Sequence, residues 1–358
     1  MSNEQKNESI IVLSEVERVR YGGQAVVEGV MMRSPRFFAV ACRRPSGSIV
    51  VQCEEVDKSL LGKLKFLNKP FLRGTLGILD AMILGSRALN FASKVQLEDD
   101  STIKPAHPEH VTTPNPSAPA PVAKSADKSR AGSKINEIAV GGTILISLLF
   151  GLFVFRLIPT VLGEKLANVG IIGSAPTNLM KNALDGAIRA CFFFAYILAI
   201  SRMAGIRAVF QYHGAEHKAI NTLEAGVPLT RENALEASRI HPRCGTSFIV
   251  VVMVVDFLLC LFLPRPELFR RVLLHIAMLP PVAGIAYEAI KVAGKYRHNR
   301  MMMAAFAPGM WTQYLTTRVP NAAQVDVALT ALFAVLEAEG HTVPAHTKPQ
   351  EMEEVIFS

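Results

Sequence analysis

Residues Gln211–Lys218 have the sequence Gln-Tyr-His-Gly-Ala-Glu-His-Lys and lie between two long apolar segments of the chain. The pattern His-x-x-Glu-His places His213 and His217 one helical turn apart, so both imidazoles leave the same face of a helix. Two neutral imidazoles at this spacing can bind one divalent metal ion, and Glu216 is near enough to accept a proton from a metal-bound water. The order of the residues is that of the inverted zinc-hydrolase motif.

A third ligand is needed, and the nearby segment His-Pro-Arg-Cys at 241–244 supplies two candidates. Imidazole and thiolate both suit zinc, so His241 and Cys244 complete a candidate set of four ligands with His213 and His217. Four protein ligands would close the site, whereas three would leave a position for water. The sequence favours neither arrangement. The alternative without a metal is that the two motif histidines are surface polar groups beside Glu216.

The composition indicates a membrane protein. Half of the 358 residues are hydrophobic, and the mean hydropathy is positive, at +0.28. The formal net charge is +8, but the basic residues cluster at the ends of apolar segments rather than on one aromatic-rich face. Phospholipid headgroups are therefore expected as the counterpart, and nucleic acid is not. The five cysteines are scattered and odd in number, so we expect no disulfide framework and a reducing compartment.

Residues 21–97 predict a small cytoplasmic α+β domain. Phe37–Arg43 and Ser48–Glu54 have the composition of two strands, and the Arg-Pro-Ser-Gly segment between them predicts a hairpin turn. Phe71–Phe91 has a helical period interrupted by charges, which predicts an interfacial or packed helix. Glu28 and Arg33 are interpreted as either a substrate-facing pair or a structural ion pair. Residues 1–20 contain no apolar signal segment and are predicted to be disordered, as is the Pro-, Ala- and Ser-rich linker 98–134.

Four apolar segments predict a four-span membrane bundle over residues 135–300. They are Ile138–Leu162, Gly186–Ile206, Thr246–Leu263 and Val272–Val292. Pro280 and Pro281 predict a kink in the last segment. With no signal peptide the N-terminal domain should start in the cytoplasm, and an even number of spans returns the C-terminus there, on the side with most of the basic residues.

This topology places the loop 203–244, which carries every candidate ligand, at the cytoplasmic membrane surface. Residues 301–338 are predicted to form a C-terminal interfacial helical region on the same side. Pro320 and Asn321 are a helix start signal within it. Residues 339–358 are predicted to be a disordered tail.

Several longer strings of the sequence are similar to those of one bacterial family. They are Gly22–Arg33, Arg73–Gly74, Tyr212–Lys218, His241–Phe248, Tyr287–Glu288 and Pro308–Thr317. On these strings the chain resembles the membrane family of domain of unknown function 1385, over about Tyr21 to Leu336 without the linker. The resemblance implies a multi-pass inner-membrane protein. The family is often labelled a predicted metal-dependent enzyme, and the resemblance supplies no substrate.

The fold expected from these features is that of a mainly α membrane protein, a four-helix transmembrane bundle with a small N-terminal cytoplasmic α+β domain. The expected function is that of a zinc-dependent hydrolase-like enzyme at the cytoplasmic surface of a bacterial inner membrane, with Glu216 as general base. The alternative is a non-catalytic membrane assembly or scaffold protein with a structural zinc site. The expected partners are the lipid bilayer and a lipid or membrane-protein substrate, with a homo-oligomer left open.

Overall fold

The computed structural model describes residues 13–14, 18, 20–56, 73–102, 142, 146–171, 173–295, 299–344 and 352–357. The chain divides into two compact units. Unit 1 contains residues 1–103, 194–260 and 276–358, and unit 2 contains residues 104–193 and 261–275. The described residues are mostly helical, with a small sheet in unit 1.

Five strands form the sheet, in the order in which they occur along the chain. They are β1 (Gly22–Val26), β2 (Gly29–Arg33), β3 (Phe37–Arg43), β4 (Ile49–Glu55) and β5 (Met352–Phe357). The first four are antiparallel neighbours, and β5 pairs with β4 in parallel. The strands predicted at β3 and β4, and the turn between them, are confirmed.

Besides a helical stretch at residues 146–152, the described residues include ten helices. They are α1 (Arg73–Thr102), α2 (Ile158–Asn168), α3 (Asn178–Ile200), α4 (Ala204–Ala225), α5 (Arg231–Glu236), α6 (Gly245–Leu261), α7 (Leu268–Ala277), α8 (Leu279–Lys295), α9 (Arg300–Thr316) and α10 (Ala322–Ala338). A π-helical turn, Phe153–Leu157, leads directly into α2.

Helices cover both faces of the sheet because the strands bury side chains on both. In β3, Ala39 and Ala41 belong to a core shared with α4 and α10, whereas Phe38 and Val40 belong to a second core. Helix α1 supplies Leu84, Ala88, Ala92 and Val95 to that second core. The alternation follows from the period of two along a strand. Helix α1 is longer than the predicted Phe71–Phe91, and it extends into the first residues assigned to the linker.

Two predictions about the C-terminal region are wrong. Helix α10 is not interfacial, since every residue from Gln324 to Leu336 is buried. It is apolar around nearly its whole circumference, which is the property of a core helix. The tail is not entirely disordered, since Met352–Phe357 forms β5 on the edge of β4. The edge of β4 offers unpaired backbone groups to which the tail can bind. Because β4 lies about 300 residues earlier in the chain, the composition of the tail does not reveal this partner.

The α+β domain is therefore not confined to the N-terminus, because α4 and α10 complete its core. The predicted start of α10 is confirmed in detail. Asn321 caps the helix and forms a capping box with Gln324. Residues 1–12 and 103–134, most of the predicted disordered segments, lie outside the described residues.

Among the described residues, three helical segments are long and apolar enough to cross a membrane. They are Ile146–Asn168, Asn178–Ile200 and Leu268–Val292. The last consists of α7 and α8, which are interrupted at Met278 just before the two prolines, so the predicted kink is confirmed. Helix α6 is apolar but has only 17 residues, which is shorter than the segments that qualify.

A cluster of charges, buried except for Glu164, joins the helices of unit 2. Arg265 binds Asp185 of α3 at 2.8 Å and Glu164 of α2 at 2.9 Å, and Arg271 of α7 binds the same Glu164 at 2.8 Å. Asn182, one turn into α3, donates hydrogen bonds to the carbonyl oxygens of Leu261 and Leu263. Charges within apolar helices are kept by such pairing, because an unpaired charge there is costly.

Candidate metal centre

Helix α4 presents the His-x-x-Glu-His motif from inside unit 1, with residues 214–220 all buried. Gly214, between the two histidines, allows this close packing. A Cβ atom there would lie 2.2 Å from the carbonyl oxygen of Arg318. The backbone N–H of Arg318 in turn donates to the carbonyl oxygen of Phe210 at 2.8 Å. The segment after α9 is therefore held directly against the turn of α4 that carries the motif.

Both motif histidines are oriented by backbone carbonyl groups. Nδ1 of His213 lies 2.9 Å from the carbonyl oxygen of Thr316, and Nδ1 of His217 lies 2.6 Å from that of Arg239. Because a carbonyl oxygen can only accept, each Nδ1 carries the hydrogen, and in the neutral imidazole each Nε2 keeps its lone pair. This is the outer hydrogen bond that metal-binding histidines make. The Nε2 atom of His217 is buried and makes no hydrogen bond with any described residue.

Cys244 completes a group of three potential ligands. Its Sγ atom lies 3.1 Å from Nε2 of His213, and one ligand atom from each of His213, His217 and Cys244 lies within 4.8 Å of the others. The backbone N–H of Thr246 donates to the same sulfur at 3.4 Å. Two imidazoles and one thiol form a donor set that suits zinc. Over the residues described, no other side chain belongs to this group.

The structure does not bring His241 into the group. Its Nε2 atom lies 3.2 Å from Glu224 Oε1, and its Nδ1 atom accepts the backbone N–H of Arg243 at 3.4 Å. Its ring centroid is 5.8 Å from that of His217. Burial lowers the pKa of His241, and the charge of Glu216 opposes that shift. Both ring nitrogens of this sequence-derived candidate are therefore engaged elsewhere.

Glu216 lies at the edge of the group. Its Oε2 atom is 3.5 Å from Nε2 of His217, and its side chain is almost wholly buried. Strand β1 closes over it at Gly23, where a Cβ atom would lie 2.7 Å from Glu216 Cγ. If these three atoms held a metal ion, the carboxylate would be near enough to accept a proton from a water bound to it.

The sequence did not identify the residues whose hydrogen bonds hold the loop of Cys244 in place. Gln313 is fully buried, accepts the backbone N–H of His241 at 2.9 Å and donates to its carbonyl oxygen at 2.7 Å. It fixes the loop that leads to Cys244. Gln313 and Thr316 both lie in the Pro308–Thr317 string, which was noted only as part of a resemblance.

The interpretation of Glu28 and Arg33 as a pair is wrong. Arg33 binds Asp80 of α1 at 2.7 Å, while Glu28 accepts a hydrogen bond from the hydroxyl of Tyr212 at 3.1 Å. Burial, reinforced by the Glu28 charge, raises the pKa of Tyr212, so its hydroxyl remains a donor. Glu28 has a φ of 48°, a strained conformation for a non-glycine residue, in the turn between β1 and β2. This contact ties the turn to the start of the motif.

Comparisons with known proteins agree with the resemblance. The family described as "Protein of unknown function (DUF1385)" matches residues 69–338, which include the three clustered side chains and Glu216. The chain is 35% identical over 323 residues to the uncharacterized protein YqhQ of Bacillus subtilis (strain 168), an alignment that covers 89% of this chain and 93% of that protein. No solved structure matched the chain. The chain belongs to the DUF1385 family.

Proposed function

We propose that this protein is a zinc-dependent, hydrolase-like enzyme of a bacterial inner membrane, acting at the cytoplasmic membrane surface. One observation carries the proposal: the ligand atoms of His213, His217 and Cys244 converge within 4.8 Å. Both imidazoles also have their Nδ1 atoms bound to carbonyl oxygens, which leaves Nε2 to bind a cation. A metal site needs its ligands oriented in this way before the metal binds. A pair of surface histidines without a metal has no need of such orientation.

The ligand count favours a catalytic centre over a closed one. Three side chains converge, and the fourth candidate, His241, is bound to Glu224 instead. Three protein ligands leave one position of a tetrahedral site for water. When bound, zinc would polarise that water and the substrate. Glu216 would accept the proton of the water as its oxygen forms a bond to the carbonyl carbon or phosphorus of an ester, amide or phosphoester, and would return the proton to the leaving group.

A four-span topology with both termini in the cytoplasm belongs to this proposal. Helix α6 begins immediately after Cys244 and is apolar. With 17 residues it is about 26 Å long, close to the thickness of a bilayer core. This length supports a fourth crossing. Cys244, and with it the metal centre, would then lie at the cytoplasmic end of α6.

A non-catalytic assembly or scaffold protein with a structural zinc site is the second candidate. The burial of the site favours it, since His217 is only 1% exposed and Cys244 only 8%. In that case Glu216 would have no chemical role. Metal content alone does not separate the two functions, whereas replacement of Glu216 does.

Elemental analysis of the full-length protein tests the shared part of both candidates. The protein should be purified in detergent without chelators, and we expect close to one equivalent of zinc in the wild type and none in a His217→Ala variant. A wild-type protein with well under one equivalent of any transition metal would contradict both.

A further inference from the structure

A pocket of about 620 Å³ lies next to the candidate metal centre, within unit 1. Its walls come from β1, β2, α1 and the loop that carries Cys244, and they include Gly23, Met31, Leu84 and Arg243. The volume is within the usual range of small-molecule sites, about 300–1,000 Å³. The pocket is therefore large enough for part of an organic substrate.

The polar part of the pocket is positively charged. Arg20, Arg33 and Arg243 line it, and none of its lining residues is acidic. Arg33 and Arg243 each bind one carboxylate outside the lining, those of Asp80 and Glu224. A guanidinium has five N–H donors in a planar fork, so Arg33, which binds one carboxylate oxygen of Asp80, has further donors for a second anion. Arg20 is exposed and forms no ion pair within the described part of the chain. This group of side chains fits a phosphate or a similar anion.

The other walls are apolar and lie near a membrane helix. Met31, Ala81 and Leu84 contribute hydrocarbon surface. Ala81 is one turn, or about 6 Å, further along α1 than Gly77. A Cβ atom at Gly77 would lie 3.3 Å from the ring of Tyr287, which is part of the candidate span Leu268–Val292. The pocket thus starts within a helical turn of a membrane-crossing segment.

Gly23 connects the pocket to the candidate base. It lines the pocket, and a Cβ atom at this position would lie 2.7 Å from Glu216 Cγ and 3.0 Å from Glu216 Oε1. Gly23 of β1 therefore borders the pocket and also packs against the Glu216 side chain.

We infer that this pocket binds a phosphate-bearing anionic amphiphile, with its phosphate on the three arginines and its hydrocarbon against Met31 and Leu84. As an assignment of the substrate class, this inference rests on the proposed function. Binding itself requires no metal, since His213, His217 and Cys244 do not line the pocket.

Calorimetric titration of the full-length protein in detergent tests the inference. The probes are dihexanoyl phosphatidylglycerol, dihexanoyl phosphatidylcholine and inorganic phosphate. We expect phosphatidylglycerol to bind at least about tenfold more tightly than either of the others, because only it offers both an unbalanced negative charge and hydrocarbon. Equal affinity for inorganic phosphate would assign the site to free phosphate, and equal affinity for phosphatidylcholine would overturn the role of charge.

Single substitutions locate the binding. Arg20→Gln and Arg33→Gln should each weaken phosphatidylglycerol binding about tenfold, since each removes a charged donor. Lys94→Gln is the control: it also removes one positive charge, but at an exposed position of α1 outside the pocket, and it should leave the affinity unchanged. If Arg33→Gln fails to fold with Asp80 unpaired, the exposed Arg20 decides the outcome. Unchanged affinity in Arg20→Gln would overturn the inference.

A parallel titration of His217→Ala separates this inference from the proposed function. We expect this variant to lose zinc and to keep its affinity for phosphatidylglycerol. If the wild type binds the lipid but holds no zinc, the pocket assignment stands and the proposed function fails. If the wild type holds zinc but binds no lipid, the pocket assignment fails and the proposed metal site stands.

Discussion

Nδ1 of His217 donates a hydrogen bond to the carbonyl oxygen of Arg239 across 2.6 Å, and this contact determines what the other ring nitrogen can do. With Nδ1 protonated, Nε2 of the neutral ring has a lone pair, yet it is buried and makes no hydrogen bond in the described structure. A buried acceptor without a donor costs about 1–3 kcal/mol. A bound cation would remove that cost, so the contact supports metal binding more strongly than the motif does.

The first prediction concerns the ligands. His213→Ala and His217→Ala should each abolish stoichiometric zinc binding, a larger loss than the about 10–100-fold that follows removal of an outer hydrogen-bond partner. His341→Ala, which lies outside the group of potential ligands, is the control and should keep the metal. Elemental analysis of the three variants beside the wild type checks this. Full zinc content in His213→Ala would show that the metal is held elsewhere.

The second prediction separates catalysis from structure. Glu216→Gln should keep zinc, because Glu216 is outside the group of three ligands, and should lose the biological activity, because the amide cannot accept a proton. Complementation of a deletion strain, combined with metal analysis, measures both properties. Glu232→Gln, on the short helix α5, is the control. A Glu216→Gln protein that retains both zinc and full activity would favour the structural zinc site.

The third prediction uses two glycines of the same helix. In Gly214→Ala the new methyl group would meet the carbonyl oxygen of Arg318, which is backbone and cannot move without shifting the segment that follows α9. We expect a loss of stability of about 1–3 kcal/mol and weaker zinc binding. At Gly205 a Cβ atom would meet nothing within 4 Å, so Gly205→Ala should be neutral or stabilising by up to about 1 kcal/mol. Thermal unfolding in detergent compares the pair, and equal midpoints would contradict the close approach.

The local pattern of the sequence predicted the parts of the site that depend on neighbouring residues. The spacing of His213 and His217 gave one shared face, and the chemistry of Cys244 made it a candidate. The sequence made His241 an equally good candidate ligand. However, its ring binds Glu224 and its backbone binds Gln313, and these contacts depend on where the two residues lie in space. No local pattern carries that information.

The fold shows the same division between local and distant information. Strands β3 and β4 are joined by a short turn and were predicted within one residue at each end. Strand β5 depends on an edge contributed by β4, and the burial of α10 depends on α4 and on the sheet. Such long-range pairings decide whether an apolar helix is interfacial or internal, and composition does not distinguish the two cases.

The fourth prediction concerns β5. Deletion of Met352–Phe357 should expose the edge of β4, whose residues Val50 and Val51 are buried in the sheet. An exposed apolar edge is a template for pairing with other chains, so we expect a lower unfolding midpoint and a tendency to aggregate. Size-exclusion chromatography of the truncated protein measures the second effect. A Glu232→Ala variant, which changes an exposed residue outside the sheet, is the control and is purified in the same way. A truncated protein that stays monodisperse and equally stable would show that β5 contributes little.

The last prediction decides the number of membrane crossings. If α6 crosses the membrane, Glu267 lies outside together with Ser174; if it does not, Glu267 lies in the cytoplasm. Both residues are exposed in the structure, so cysteines at these positions are open to reagents. Ser174→Cys and Glu267→Cys, in a background with the exposed Cys191 replaced by serine, should both react with an impermeant maleimide added to intact spheroplasts. Ser125→Cys should react only after lysis. Labelling of Ser174→Cys but not of Glu267→Cys would leave three crossings, with the C-terminus outside and the proposed topology wrong.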